Sequence, residues 1–144
     1  MAHYSSTNWR RAYVLWLLSL LVLMLRKIAR TLLLLITIIV FVFALLSGSE
    51  SYGGGFWGII KNAPNALPWI LLFVLNYLVW KKELIGGVIL TLFGLFITYL
   101  FNFSGPNFWW STFIMTSSIT LLGVIFIYLH YEFKSNFKRH NKGN

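Results

Sequence analysis

Apolar residues in this chain run in long, nearly unbroken stretches, and the polar residues fall between the stretches rather than alternating with them. From Pro64 to Leu100 two such runs are separated only by Lys81, Lys82 and Glu83, which leaves no length for a folded loop. The pattern predicts two membrane-crossing helices, over 65–80 and 84–101, joined by a turn lying in water. Pro68 falls in the first turn of the former, where a missing N–H costs little. Trp69 and Trp80 bracket it as interface anchors do. Upstream, Ile28 to Ser47 predicts a span over 28–47, closed by Gly48, Ser49 and Glu50. Downstream, the belt Phe108, Trp109 and Trp110 opens a span over 109–131 after the Gly105-Pro106 break. Ser47 to Gly58 reads as a Gly/Ser-rich connection, and Asn62 to Asn65 as a second loop element closed by Pro64.

A fifth apolar run, Ala12 to Leu25, is broken only by Ser19. As a helix it reaches about 21 Å, short of a hydrocarbon core of about 30 Å. Its charged front, Arg10 and Arg11, and its apolar middle resemble a secretory signal. Arg26, Lys27 and Arg30 nevertheless stand where a small-residue cleavage site is needed, so the run is expected to be retained. No Gly or Pro separates it from the next run, so a helix here either continues or bends near Arg26. The preferred reading is a helix over about 9–25 lying in or dipping into the interface, with an additional crossing as the alternative. The lack of a polar face weighs against the first; five basic residues at external or boundary positions weigh against the second. Three regions follow: 1–27, polar N-terminus and interfacial helix; 28–131, the four-helix transmembrane domain; 132–144, a basic cytoplasmic tail.

Composition makes lipid the solvent. Of 144 residues, 58% are hydrophobic and 10% charged, where soluble domains carry roughly 25% charged. The formal charge of +9 would suggest nucleic acid in a soluble chain. Here the cations cluster at segment ends, as topology signals do. With four spans and the N-terminus inside, eleven of the twelve Lys and Arg residues fall on the inner side and Lys61 alone outside. Both termini are therefore expected in the cytoplasm, in the cell membrane, with no nucleic-acid partner. The absence of cysteine removes disulfides, thiolate metal sites and Cys nucleophiles together.

The candidate functional positions are packing signals. Gly87, Thr91, Gly94 and Thr98 fall within one narrow stripe of the third span, and Thr112, Thr116, Thr120 and Gly123 form a wider one on the fourth. Small residues let helix backbones approach in lipid, and hydroxyls bond across. The stripes either join helices three and four, or one of them faces a partner or a polar path. Asn76 is the strongly polar side chain well inside a span, and should point into the bundle. No ionisable residue sits mid-span, whereas proton relays and ion-coupled transporters carry one there. Glu83 and its two lysines suit the dipoles of the helices they join. His3, His130 and His140 lack metal-ligand spacing, and His130 is expected to cap the last helix. The acids Glu50, Glu83 and Glu132 make no pair, and Gly53-Gly54-Gly55 precedes no Lys-Ser/Thr.

The stretch LPWILLFVLNYLVWKKELIGG, with Pro68 at a span start, Trp80 before its charged turn and Gly86-Gly87 after it, resembles a family of small prokaryotic four-helix membrane proteins of unknown function. Arg30 before the first span and the pair Phe43-Ala44 fit as well. The resemblance covers roughly Arg26 to Tyr131 and departs where that family is expected to carry a His, here Asn65. It implies a fold and no activity. The expectation is thus an all-α membrane protein, non-enzymatic and without cofactor or metal. It would be a structural or accessory component working through helix–helix packing, with itself or with another membrane protein in the lipid bilayer. The alternative is a small oligomeric transporter or channel subunit.

Overall fold

The computed structural model describes the backbone of residues 6–141 and the side chains of residues 9, 13, 14 and 16–135. Expectations for His3 and Lys142, and for the side chains of Arg10, Arg11, Lys138, Arg139 and His140, lie outside the described residues. Four helices account for nearly all of the chain: α1, Ser6–Leu46; α2, Gly55–Lys81; α3, Glu83–Asn102; and α4, Trp110–Asn141. A short 3-10 turn, Ser49–Tyr52, precedes three consecutive glycines with positive φ, Gly53, Gly54 and Gly55. Side chains are strained in that conformation, which is why this turn is written in glycine. There is no strand among the described residues.

All four helices are long and apolar enough to cross a membrane. Large apolar side chains cover the outside of the bundle on every helix. This surface is compatible with a membrane protein and is the reverse of what water favours.

The helices form a ring: α1 lies against α2 and α4, and α3 against α2 and α4. The buried positions of α1, Val22, Ala29, Leu33, Thr37, Val40 and Ala44, recur at intervals of three, four and seven and draw one seam along the helix. That seam meets Leu72, Leu75 and Val79 of α2 and Ile119, Leu122, Phe126 and Leu129 of α4, with Leu90 and Ile97 of α3 completing the core.

The α3–α4 seam is the tightest. A Cβ built on Gly94 would stand 2.6 Å from the backbone nitrogen of Thr120, and one on Gly123 equally close to that of Thr91. Gly87 backs onto the carbonyl of Gly123. Its neighbour Gly86 faces the other way, 2.6 Å by the same construction from the backbone of Val79 on α2. The paired glycines therefore serve two helices at once, being about 100° apart around α3.

Three expectations are corrected. The apolar run over 9–25 is not a separate helix: it is the first half of α1, which runs unbroken through Arg26. No Gly or Pro lies between Ala12 and Ser47 to end it. Nor are Asn62 to Asn65 a loop: α2 starts ten residues before the expected span, and Pro64 and Pro68 both lie inside it. Tertiary contacts hold that first part in place. The Asn62 amide donates to the Ala44 and Leu45 carbonyls at 3.0 and 2.8 Å, and Gly58 sits against the Ser49 carbonyl. Finally, α4 does not stop at Tyr131 but continues to Asn141 through most of the expected tail, so His130 lies within the helix and does not cap it.

Candidate functional site

Two features at opposite ends of the bundle set chemistry apart from packing. The first lies where α2 turns into α3. Lys82 alone separates these helices, so Glu83 is fixed at the start of α3 with its carboxylate turned inward, 8% exposed. Arg26 and Arg30, four residues apart on α1, share a face of that helix and meet it there. Arg26 Nη2 is 2.6 Å from Glu83 Oε2, and Arg30 Nη2 is 3.7 Å from Oε1. The same Arg26 nitrogen donates to the Leu129 carbonyl of α4 at 3.3 Å, so one guanidinium ties together three helices.

Aromatic rings close over the group. Phe133 lies 4.2 Å from the Arg26 guanidinium and Trp80 lies 5.9 Å from that of Arg30, both within cation–π reach. The Nε atoms of both arginines and Glu83 Oε1 are buried without a hydrogen-bond partner. The group is therefore a clasp carrying one net positive charge, with its carboxylate engaged by cations. Lys27, between the two arginines, is exposed.

Halfway along the bundle, the Asn76 amide donates to Thr37 Oγ1 at 2.6 Å and to the Leu72 carbonyl at 2.9 Å. The Thr37 hydroxyl in turn donates a hydrogen bond to the Leu33 carbonyl at 2.7 Å. Asn76 thus lies inside the bundle and joins α2 to α1.

The second feature is a cavity of about 440 Å³ at the end away from the clasp, between α1 and α4. Trp69 of α2 and Phe101 of α3 lie along it, stacked with centroids 5.7 Å apart. Asn65 lines it beside them and donates to the Ala44 carbonyl at 3.4 Å.

The candidate stripes divide between these surroundings. Gly87, Thr91 and Gly94 meet Thr120 and Gly123 in the α3–α4 seam. Thr98 turns its hydroxyl back to the Gly94 carbonyl at 2.7 Å. Thr112 and Thr116 line the cavity instead, with Thr116 donating to the Thr112 carbonyl at 2.9 Å. Among the described residues there is no group of three or more His, Asp and Glu able to hold a metal ion.

Sequence reasoning missed the clasp. It explained Glu83 by the helix dipole alone, although the four-residue spacing of Arg26 and Arg30 was a signal that one acid could meet both. It missed Gly86 as well, seeing one stripe where a doubled glycine serves two neighbours.

A family model described as a domain of unknown function (DUF7670) matches residues 15–142. Comparison with curated proteins and with solved structures gives no match.

Proposed function

This chain belongs to the DUF7670 family, a domain of unknown function, and on that premise we propose that it is a non-enzymatic multi-pass membrane protein that works by assembly with another polypeptide. The spans are α1 from about Arg26 onward, α2, α3 and the first two-thirds of α4, with both termini in the cytoplasm. The observation that carries the reading is the free half of α1. Among the described side chains from Tyr13 to Leu25, all but Ser19 and Val22 are exposed apolar groups, and Val22 alone of them is buried against the rest of the bundle. A helix apolar all round is stable only when something covers it. The Gly/Thr seam supports the same conclusion by elimination, because α3 and α4 use it on each other and leave it closed to a partner.

A photoreactive residue at Leu21 tests this in cells, with Leu92 on the exposed face of α3 as control. The expected result is a protein adduct of one discrete mass from Leu21 and lipid adducts from Leu92. Lipid adducts alone from both positions would refute the assembly.

A second reading, a small oligomeric transporter or channel subunit, is favoured by a different observation. α1 and α4 are joined at the clasp and parted by the cavity at the other end, the outline of a chamber closed on one side. Glu83→Gln should then raise solute leakage from reconstituted vesicles; an unchanged leak removes this reading.

A further inference from the structure

The cavity between α1 and α4 has a direction. On α1 its wall runs from Ile39 and Val40 to Ala44, and it continues to Ser47, just past the end of that helix and nearest the glycine turn. On α4 it runs from Ile119 back to Ser111 and Thr112, and on α2 from Trp69 to Asn65. Three helices therefore place hydroxyls and an amide at the loop end and apolar surface toward the middle of the bundle. None of the residues lining the space is ionisable. We infer that this cavity binds an uncharged amphiphile, a single apolar chain beneath a hydroxyl- or amide-bearing head, taken up sideways from the surrounding bilayer.

Size, polarity and access each narrow the occupant to that class. A volume near 440 Å³ lies within the roughly 300–1,000 Å³ of small-molecule sites, which share this mix of apolar wall and a few placed polar groups. At the loop end Ser47, Asn65 and Ser111 are exposed and no lining side chain is charged, so a head seated there finds hydrogen-bond partners and no counter-ion. An uncharged head meets groups that both donate and accept: the Ser47, Ser111 and Thr112 hydroxyls, and the Asn65 amide, which keeps an oxygen and a second N–H beyond its bond to Ala44. The chain would lie against the stacked Trp69 and Phe101 rings. Ile39 and Phe43 line the cavity and are also exposed on the outside of the bundle, so it opens laterally, where lipid would lie. The site is at the far end of α1 from the free arm, and the inference stands whether or not that arm has a partner.

The test uses the full chain in phosphatidylcholine nanodiscs and a monoacylglycerol carrying a diazirine on its chain. Label is expected on peptides spanning 39–47 and 111–119. Excess unlabelled monoacylglycerol should compete it away about tenfold, and additional phosphatidylcholine should not. Ser111→Phe, at an exposed position on the rim, is expected to lower the labelling by a similar factor while helix content is unchanged. Competition in the unaltered chain keeps the result readable if that variant folds poorly. Equal labelling of the outer faces at Leu92 and Leu121, without competition, would overturn the proposal. So would stronger labelling by a photoreactive fatty acid, because it would put a carboxylate where the lining offers no cation.

Discussion

Replacing Glu83 with Ala removes the one anion that two arginines share, and the geometry ranks the outcome against its neighbours. Glu83 is 8% and Arg26 15% exposed, and they meet within hydrogen-bond distance, so theirs is a buried pair. Breaking such a pair from one side typically costs about 3–5 kcal/mol, because the remaining charge stays buried without compensation. Arg30 is 29% exposed and stands 3.7 Å away, beyond hydrogen-bond distance. Its loss belongs with surface pairs, at about 0–1 kcal/mol. The expected order of destabilisation is therefore Glu83→Ala, then Arg26→Met, then Arg30→Met. Arg26→Met keeps one cation beside Glu83 but loses the Leu129 bond and the Phe133 contact.

The double variant Arg26→Met/Glu83→Leu should regain most of the loss. Buried ion pairs replaced on both sides by apolar residues are often neutral or stabilising, and Arg30 is exposed enough to snorkel outward. Equilibrium unfolding in mixed micelles, followed by helix circular dichroism, measures all four variants. A double variant no more stable than Glu83→Ala, or Arg26→Met and Arg30→Met indistinguishable from each other, would refute the clasp as a buried pair.

Other consequences follow from the same contacts. Gly94→Val places a branched side chain where even a Cβ would stand 2.6 Å from the Thr120 backbone. It should separate α3 from α4 and cost several kcal/mol, on the order of an overpacked core or worse, while Gly105→Val, with open space around it, should be near neutral. Both are read by the same unfolding titration. Asn76→Leu removes the bond to Thr37 and should cost about 0.6–1.7 kcal/mol, the range for side-chain hydrogen bonds between membrane helices. Adding Thr37→Val to it should cost little more, and fully additive losses would mean that the two side chains are uncoupled. Asn62→Ala uncovers the Leu45 carbonyl, leaves that of Ala44 with only the longer bond from Asn65, and should speed amide exchange at the C-terminal end of α1 and in the following turn, leaving the clasp end unchanged.

How far the fold could be read in advance depended on whether a segment's ends are set locally. The third span was expected over 84–101 and α3 is Glu83–Asn102, because both ends carry their own signals, a charged turn before and an Asn/Gly/Pro turn after. α1 failed that test. Arg26 and Arg30 lie within it because a carboxylate more than fifty positions away accommodates both, and no local signal records that pairing. Pro64 read as a stop for the same kind of reason. The acceptors that hold α2 in helical register around it, the last carbonyls of α1, belong to another segment. α4 runs past the expected end at Tyr131 because a loss of apolar residues changes what a helix faces and need not end it. The cavity had no signal of any kind. It is a separation between α1 and α4, and single positions do not record separations.

These contacts also divide the bundle into two unlike parts. α3 and α4 are joined along Gly87, Gly94 and Gly123 by backbone approach, which offers no alternative register without opening the whole seam. α1 is held otherwise. Beside its apolar seam, polar attachments reach it at Arg26, Thr37 and Ala44, eleven and seven residues apart, which puts all three on one line along the helix. Each attachment is a hydrogen bond or ion pair to a different place: the start of α3, the last third of α2 and the early part of α2. Bonds of that kind break and re-form singly, whereas an interlocked small-residue seam separates as a whole. α1 is thus the element of this bundle that separate polar attachments hold beside an apolar seam, and it carries both the apolar arm and one wall of the cavity. Whatever occupies either one acts on the same helix.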